Sequence, residues 1–284
     1  VGDDIVRHSK KLERGVANLI TDCEDRVGAN VTKDPNKIKV FTQGFDGHTL
    51  AATYYFEEEI KNRGITFNRD NPESINSLKD EIKDLRQQGK SVTFGATYGS
   101  THIAVSKSLK ISKEEAQKIL DKYWEMYAVT KKYWGKIEKQ ILSKGFVTGA
   151  FGLKVRSNLK DMSDDRQYAS ILRTMVNTTI QSFALLMVRT IFKLQERIEK
   201  QGYIEDIIIS NTVHDSVMLY VKPDTGIIKW LNDNLIELMT YKYDESWEVD
   251  NEADLEIGYS VGELEILSNN ATLEEIEEVL NKLS

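Results

Sequence analysis

Apolar residues recur at helical spacing over most of the chain and alternate strictly in only a few short stretches. Ala116, Ile119, Leu120, Tyr123 and Tyr127 fall three or four apart, the period that lines one face of an α-helix. Ser112-Lys113-Glu114-Glu115 just ahead of them is a capping-box pattern. In it the serine accepts from an early backbone N–H while the glutamate reaches back to the cap. The periodicity runs on to Gly145, a suitable residue to end a helix, with a break expected near Ala128. The same reading predicts helices over 74–98, 164–200, 227–241 and 273–283. Two stretches read differently. Ile207-Ile208-Ile209 and Val213, Val217, Leu219 predict two strands around the polar turn Ser210–Asp215, and Leu255, Ile257 and Tyr259 alternate within a predicted strand at 254–267. Helices followed by a hairpin, a helix and a strand describe an α+β fold and not a βαβ winding.

Length changes that picture little: 284 residues allow one large domain or two lobes. An apolar content of 40% with 29% charged residues is that of a soluble globular chain. No run of about 18 uncharged apolar residues is present, which argues against a membrane span. With one cysteine, Cys23, no internal disulfide can form. Charge is more informative. The net charge is −7, yet residues 244–284 hold 13 acids against the single base Lys282, whereas 103–144 hold ten lysines and five acids. An acidic total therefore does not exclude a nucleic-acid partner, because the bases are clustered elsewhere. The plainer reading of those lysines is the wet face of a long helix.

The densest chemical signal lies at 86–99. Arg86, Lys90, Phe94 and Tyr98 stand four apart and Gly99 follows, so on a helix they form one slowly turning stripe. Two cations can neutralise a triphosphate and an aromatic ring can stack on a base. The run Arg86-x3-Lys90-x3-Phe94-x2-Thr97-Tyr98-Gly99 resembles the fingers helix of family A DNA polymerases. Further blocks are similar to that family in the same order: Asp34-Pro35-Asn36-Lys37 with Asp46-Gly47-His48; Thr148-Gly149-Ala150-Phe151-Gly152-x3-Arg156; Arg173-x3-Asn177-x3-Gln181; and Val213-His214-Asp215-Ser216. Their phrasing looks most like bacteriophage members.

The resemblance implies roles residue by residue. Arg86, Lys90 and His48 would meet triphosphate oxygens, and Phe94 and Tyr98 the incoming base and templating position. Glu24 resembles the gate residue that crowds a 2′-OH. Arg173, Asn177, Gln181, His214 and Arg156 would contact DNA; the first three share a stripe suited to minor-groove acceptors, which every base pair presents similarly. Asp215, in a turn between strands, would hold Mg²⁺, and two ions are expected. The first metal motif departs from the family. Counting back from Glu24 and Arg26 puts Leu19 where the family has its metal-binding Asp, while Asp22 is the nearest carboxylate and follows the strand-like run Leu19-Ile20-Thr21.

The implied architecture is a right-hand polymerase palm (an antiparallel sheet with helices) with mainly helical fingers and no thumb. The palm is expected over 1–45 and 161–284 and the fingers over 46–160. Primer–template DNA and dNTP are the implied partners, together with a separate upstream polypeptide supplying thumb and exonuclease. The implied place of action is the cytoplasm (a host's, if the chain is phage-encoded), with no membrane partner. The other reading is a primer–template or nucleotide-binding polymerase remnant without catalysis.

Overall fold

The computed structural model describes residues 13–19, as backbone only, together with 23–213, 215–260 and 263–283. The chain forms two compact units, one of residues 1–23 with 183–284 and the other of residues 24–182. It begins with strand β1 (Glu13–Leu19) of the first unit and then supplies the second unit in one continuous run.

That second unit is mainly helical. Its elements are α1 (Cys23–Thr32), α2 (Pro35–Thr42), α3 (Gly47–Tyr55), α4 (Glu57–Asn62), α5 (Pro72–Asn76), α6 (Lys83–Thr97), α7 (His102–Leu109), α8 (Lys113–Met126), α9 (Ala128–Lys144), the hairpin β2 (Phe146–Thr148) and β3 (Lys154–Arg156), and α10 (Asp165–Gln181). Local sequence sets the helix starts. Asp34 caps α2 ahead of Pro35, Asp46 caps α3 by accepting from the Thr49 amide, and Ser112 with Glu115 closes the expected capping box on α8, satisfying donors that a helix start leaves open. One core joins α2, α3, α6 and α8 through Val40, Leu50, Val92, Ala96, Leu120 and Tyr123. A second joins α9, the hairpin and α10 through Ile137, Ile141, Val147 and Val176.

In the first unit the chain continues with α11 (Leu185–Gln201), β4 (Ile207–Val213), β5 (Ser216–Val221), α12 (Thr225–Met239), β6 (Ala253–Ser260), β7 (Glu263–Leu267) and α13 (Leu273–Leu283). The five strands form one antiparallel sheet in the order β4-β5-β1-β6-β7. Alternation puts Val217, Leu219 and Val221 of β5 and Leu255 and Ile257 of β6 in the core, where they meet Leu194 and Ile198 of α11 and Leu231 and Leu235 of α12. One face of the sheet is thereby closed by helices, as a half-buried antiparallel sheet requires.

Several expectations are corrected. The predicted 74–98 helix is two helices separated by tight turns. Leu78, Ile82 and Leu85 are buried in one cluster, so apolar spacing of four and three is satisfied through non-helical backbone. The 164–200 helix is interrupted by a 3₁₀ turn at Ser182–Ala184. The 254–267 strand is a hairpin, β6 and β7, with a register shift between Ile257 and Ser260. The 210–215 turn is shorter than expected because β4 runs to Val213 past a bulge at Ile209/Asn211. Apart from these corrections, the two compact units divide at 23/24 and 182/183, with α2 and α10 packed into the helical unit's cores. The stretch Asp165–Gln201 is long and apolar enough to cross a membrane by length and composition; Met175 and Val176 of it lie in a core of the helical unit and Leu194 and Ile198 in that of the sheet unit.

Candidate active-site residues

Helix α6 carries the expected stripe because its other face is fixed. Leu85, Gly89, Val92, Thr93 and Ala96 are buried, which turns Lys90 and Phe94 outward; Phe94 is 53% exposed. Gly89 permits this approach, since a Cβ there would lie 3.3 Å from the Ala52 backbone nitrogen and the His48 carbonyl oxygen of α3. The same contact brings His48 beside the turn of α6 that bears Arg86 and Lys90. Arg86 is engaged: its Nε and Nη2 donate to the two carboxylate oxygens of Asp46 at 3.0 and 2.9 Å, a fork-on-fork pair. Burial works to raise the Asp46 pKa, but the hydrogen bonds from Arg86 and Thr49 override it and hold the carboxyl at about 2. Asp46 thus locks Arg86 to the N-terminus of α3, a role that sequence reasoning missed. Its signal was the spacing of Asp46 to Thr49, a capping pattern.

The end of α6 meets α10. Phe94 and Tyr98 form an edge-on pair with ring centroids 5.0 Å apart. Burial pushes the Tyr98 phenol up to about 12, helped by the carboxylates of Glu24 and Asp25, while its hydrogen bond with Gln181 acts the other way. Gly99 has φ +77°, and a Cβ on it would lie 2.6 Å from Cγ and Cδ of Arg173 and from Cη2 of Trp134. The glycine is therefore required twice, by its backbone conformation and by the side chains laid against it. Trp134, given no role from the sequence, helps to shape this corner. Asn177 holds its Oδ1 buried and without a hydrogen-bond partner among the described residues, a polar atom that the fold leaves unsatisfied. One face of the helical unit thus assembles Glu24, Tyr98, Arg173 and Gln181 around a buried, unsatisfied acceptor. Arg156 lies on β3, exposed and paired in register with Phe146.

In the sheet unit, Asp215 is half-buried in the turn between β4 and β5. Ser216, standing where the resemblance expects Glu, donates to the Val213 carbonyl at 2.8 Å and so closes that turn. Strand register extends the sequence argument about metal. Asn18 pairs with Ser216 on one side and Asp254 on the other, so Leu19 and Asp215 are each the next residue beyond the last β1–β5 pair. Asp254, half-buried on the side of β6 away from the core, is a carboxylate one register step from this point that the motif search did not find. Among the described residues no group of three or more His, Cys, Asp or Glu side chains is gathered to hold a metal. Mg²⁺ nonetheless accepts one or two protein carboxylates with substrate oxygens completing its shell, and Asp215 fits that use. Asp22 and His214 lie outside the described residues.

With this geometry in place, comparison with known proteins is decisive. A family profile described as DNA polymerase family A matches residues 20–263, and the chain belongs to that family. It is 30% identical over 203 residues to DNA polymerase I of Streptococcus pneumoniae, covering 70% of this chain and 20% of that one. It is 28% identical over 201 residues to DNA polymerase I of Geobacillus stearothermophilus, covering 69% and 20%. The chain spans about a fifth of the length of these curated relatives. A solved structure titled the POL domain of Pol1 from M. smegmatis in complex with DNA primer-template and dNTP superposes with TM-score 0.73 at 22% identity, covering 88% of this chain and 40% of that one. The fold is accordingly α+β of the polymerase-domain kind, with an antiparallel sheet and a mainly helical unit. The relatives named are bacterial.

Proposed function

We propose that this chain is the palm and fingers portion of a template-directed DNA polymerase, transferring a nucleotidyl group from dNTP to a primer 3′-OH. The fingers are 46–160 and the palm 1–45 with 161–284; an upstream polypeptide would supply thumb and exonuclease in the complete enzyme, and the wording of its motifs points to a bacteriophage source. The observation that carries the reading is the corner where Tyr98, held to Gln181, meets Arg173 and the orphaned Asn177 acceptor. Lys90 presents its ammonium to triphosphate oxygens, and Arg86 joins it when it leaves Asp46. His48 stands on the adjacent turn as a further phosphate donor. Phe94 covers the base, Glu24 crowds the 2′ position, and Arg173, Asn177, Gln181, His214 and Arg156 hold the primer–template. Asp215, with Asp22 as its companion, would hold Mg²⁺, which when bound supplies charge stabilisation to the phosphoryl oxygens. The chain's own contribution is positioning and charge complementarity, which carry most of the catalysis of phosphoryl-group transfer.

One observation favours a second reading, a primer–template and nucleotide-binding remnant without catalysis: Leu19, like Asp215, adjoins the last β1–β5 pair, Asn18 with Ser216, and leucine offers no metal ligand. A primer-extension assay with Mg²⁺, on the chain alone and with the upstream polypeptide added, separates the two. Extension that is lost in Asp215→Ala supports the polymerase. Nucleotide and DNA binding without extension in either condition supports the remnant.

A further inference from the structure

The inner face of α6 is not purely apolar. Two of its buried residues, Thr93 and Thr97, each carry a hydroxyl that is hydrogen-bonded to a tyrosine of a neighbouring helix. Thr93 Oγ1 lies 3.0 Å from the phenol oxygen of Tyr55, the last residue of α3, and Thr97 Oγ1 lies 3.1 Å from that of Tyr123 on α8. Both tyrosines are buried, and burial pushes both phenols up, so each keeps its proton for the bond. Valine and phenylalanine would fill the same space with no polar atom to satisfy. A buried hydroxyl is costly unless it is paired, and a satisfied pair adds direction more than it adds stability.

Each threonine immediately precedes a ring of the outer stripe. Thr93 stands before Phe94 and Thr97 before Tyr98, and successive residues are about 100° apart round a helix. The end of α6 is fixed locally. The Gly99 amide donates to the Ala96 carbonyl at 2.9 Å and the Ser100 amide to the Gly95 carbonyl at 2.8 Å, a Schellman ending with Tyr98 at the cap. Those bonds hold Tyr98 to its own helix, and the 5.0 Å ring contact joins Phe94 to Tyr98. Neither stops α6 from turning about its axis, and the apolar contacts of Val92 and Ala96 have no preferred direction. A turn of about 10° moves a hydroxyl about 4 Å from the axis by about 0.7 Å, and a ring about 6 Å from it by about 1 Å. The first shift is enough to lose a hydrogen bond of 3.0 or 3.1 Å. The second, at a group that orients a reactant, can cost up to about a hundredfold in rate.

We infer that the Tyr55–Thr93 and Tyr123–Thr97 pairs set the rotation of α6, and through it the place where Phe94 and Tyr98 meet the base pair being formed. The inference rests on the polymerase reading above and adds these four buried side chains to it as positioning residues. The two bonds come from different helices, α3 and α8, so a turn of α6 strains one or both. Rings held in this way test the shape of the pair, and rings free to follow a turning helix accept a wider range of shapes. The Lys90 contact with triphosphate is less sensitive, because a long flexible side chain absorbs a small turn.

Removing both hydroxyls of a pair keeps its shape and strands no polar group. The double variants Tyr55→Phe/Thr93→Val and Tyr123→Phe/Thr97→Val of the whole chain should therefore hold a Tm near or above that of the wild type. On primer–template their kcat for a matched dNTP should fall roughly tenfold while KM stays within about twofold. The ratio of matched to mismatched kcat/KM should fall as well. Thr93→Ser and Thr97→Ser keep the hydroxyl and lose a methyl, and should show the reverse, a lower Tm with kcat and selectivity near wild type. A purely structural role would lower Tm and rate together. A fluorine placed ortho to the Tyr98 hydroxyl and read by NMR without substrate reports the ring independently of activity. Its line should be narrow in the wild type and the serine variants and shifted or broadened in both double variants. An unchanged line in the double variants overturns the inference, as does wild-type kcat and selectivity in them, or a loss of selectivity shared by the serine variants. A line that responds as expected in a chain that extends no primer counts against the polymerase reading and not against the positioning contacts; ordinary extension with an unchanged line overturns the inference alone.

Discussion

Replacing Asp46 with asparagine removes the charge that holds Arg86 while leaving the helix cap in place, because Asn caps as well as Asp does. The magnitude follows from the carboxyl's own proton affinity. The folded chain lowers it from the ordinary 3.8 to about 2, and ~1.36 kcal/mol per tenfold change makes that about 2 kcal/mol of stability. Asp46 and Arg86 are 17% and 23% exposed, so solvent screening trims the figure only modestly. The Thr49 hydrogen bond survives in Asn, leaving about 1–2 kcal/mol lost to Asp46→Asn at neutral pH. A depressed carboxyl stabilises fully above its unfolded pKa and loses that effect as pH falls through the folded one. The difference between wild type and Asp46→Asn should therefore be full above about pH 5 and shrink below pH 4, reaching about half near pH 3. Urea denaturation at pH 7, 5 and 3 measures it directly. Released from Asp46, Arg86 should also bind triphosphate more readily, so dNTP affinity should rise as stability falls. Equal stability at pH 7, or a difference that does not change with pH, would refute the reasoning.

Gly99→Ala should destabilise by about 2–4 kcal/mol, from the left-handed backbone and from crowding Arg173 and Trp134, and should weaken primer–template binding; chemical denaturation and a binding titration read both. Lys90→Ala should lower kcat/KM for dNTP by roughly ten- to a hundredfold, since a charge-assisted contact is worth about 1.5–3 kcal/mol; unaltered dNTP kinetics with lost DNA affinity would mean that the stripe faces DNA. Glu24→Ala should bring the Tyr98 phenol down from about 12 only part of the way, because burial is the first cause, and should raise ribonucleotide incorporation; spectroscopic titration against Tyr98→Phe and a two-sugar extension assay check the two halves.

Much of this protein is legible without its fold. Cap and period signals place α8, α9, α12 and α13 within a few residues, because a helix start satisfies its own amides and its apolar face repeats every three or four residues. The stripe from Arg86 to Tyr98 is equally local, being four side chains on one continuous helix. The family resemblance, carried by the order of short motifs, is likewise a property of the string. What the string misplaces is where helices break: spacing through Leu78, Ile82 and Leu85 satisfies burial whether the backbone is helix or turn.

Tertiary structure decides which of these local pieces meet. Nothing in the sequence says that Asp46 would claim Arg86, since the partners are forty residues apart and are joined only when α3 packs on α6 at Gly89. Nor does it say that Gly99 is needed to admit Arg173 and Trp134, or that Tyr98 would find Gln181. The ten lysines of 103–144 look alike as a composition, and only packing of Ile137 and Ile141 sorts four of them onto one exposed face. The metal question divides in the same way. The motif count names Leu19 as the position in question, and the antiparallel register of β1 against β5 is what puts both Leu19 and Asp215 next to the Asn18–Ser216 pair. A sequence determines the period and chemistry of each element, because those depend on neighbours along the chain. Which side chains become partners depends on long-range burial, which only the folded chain supplies.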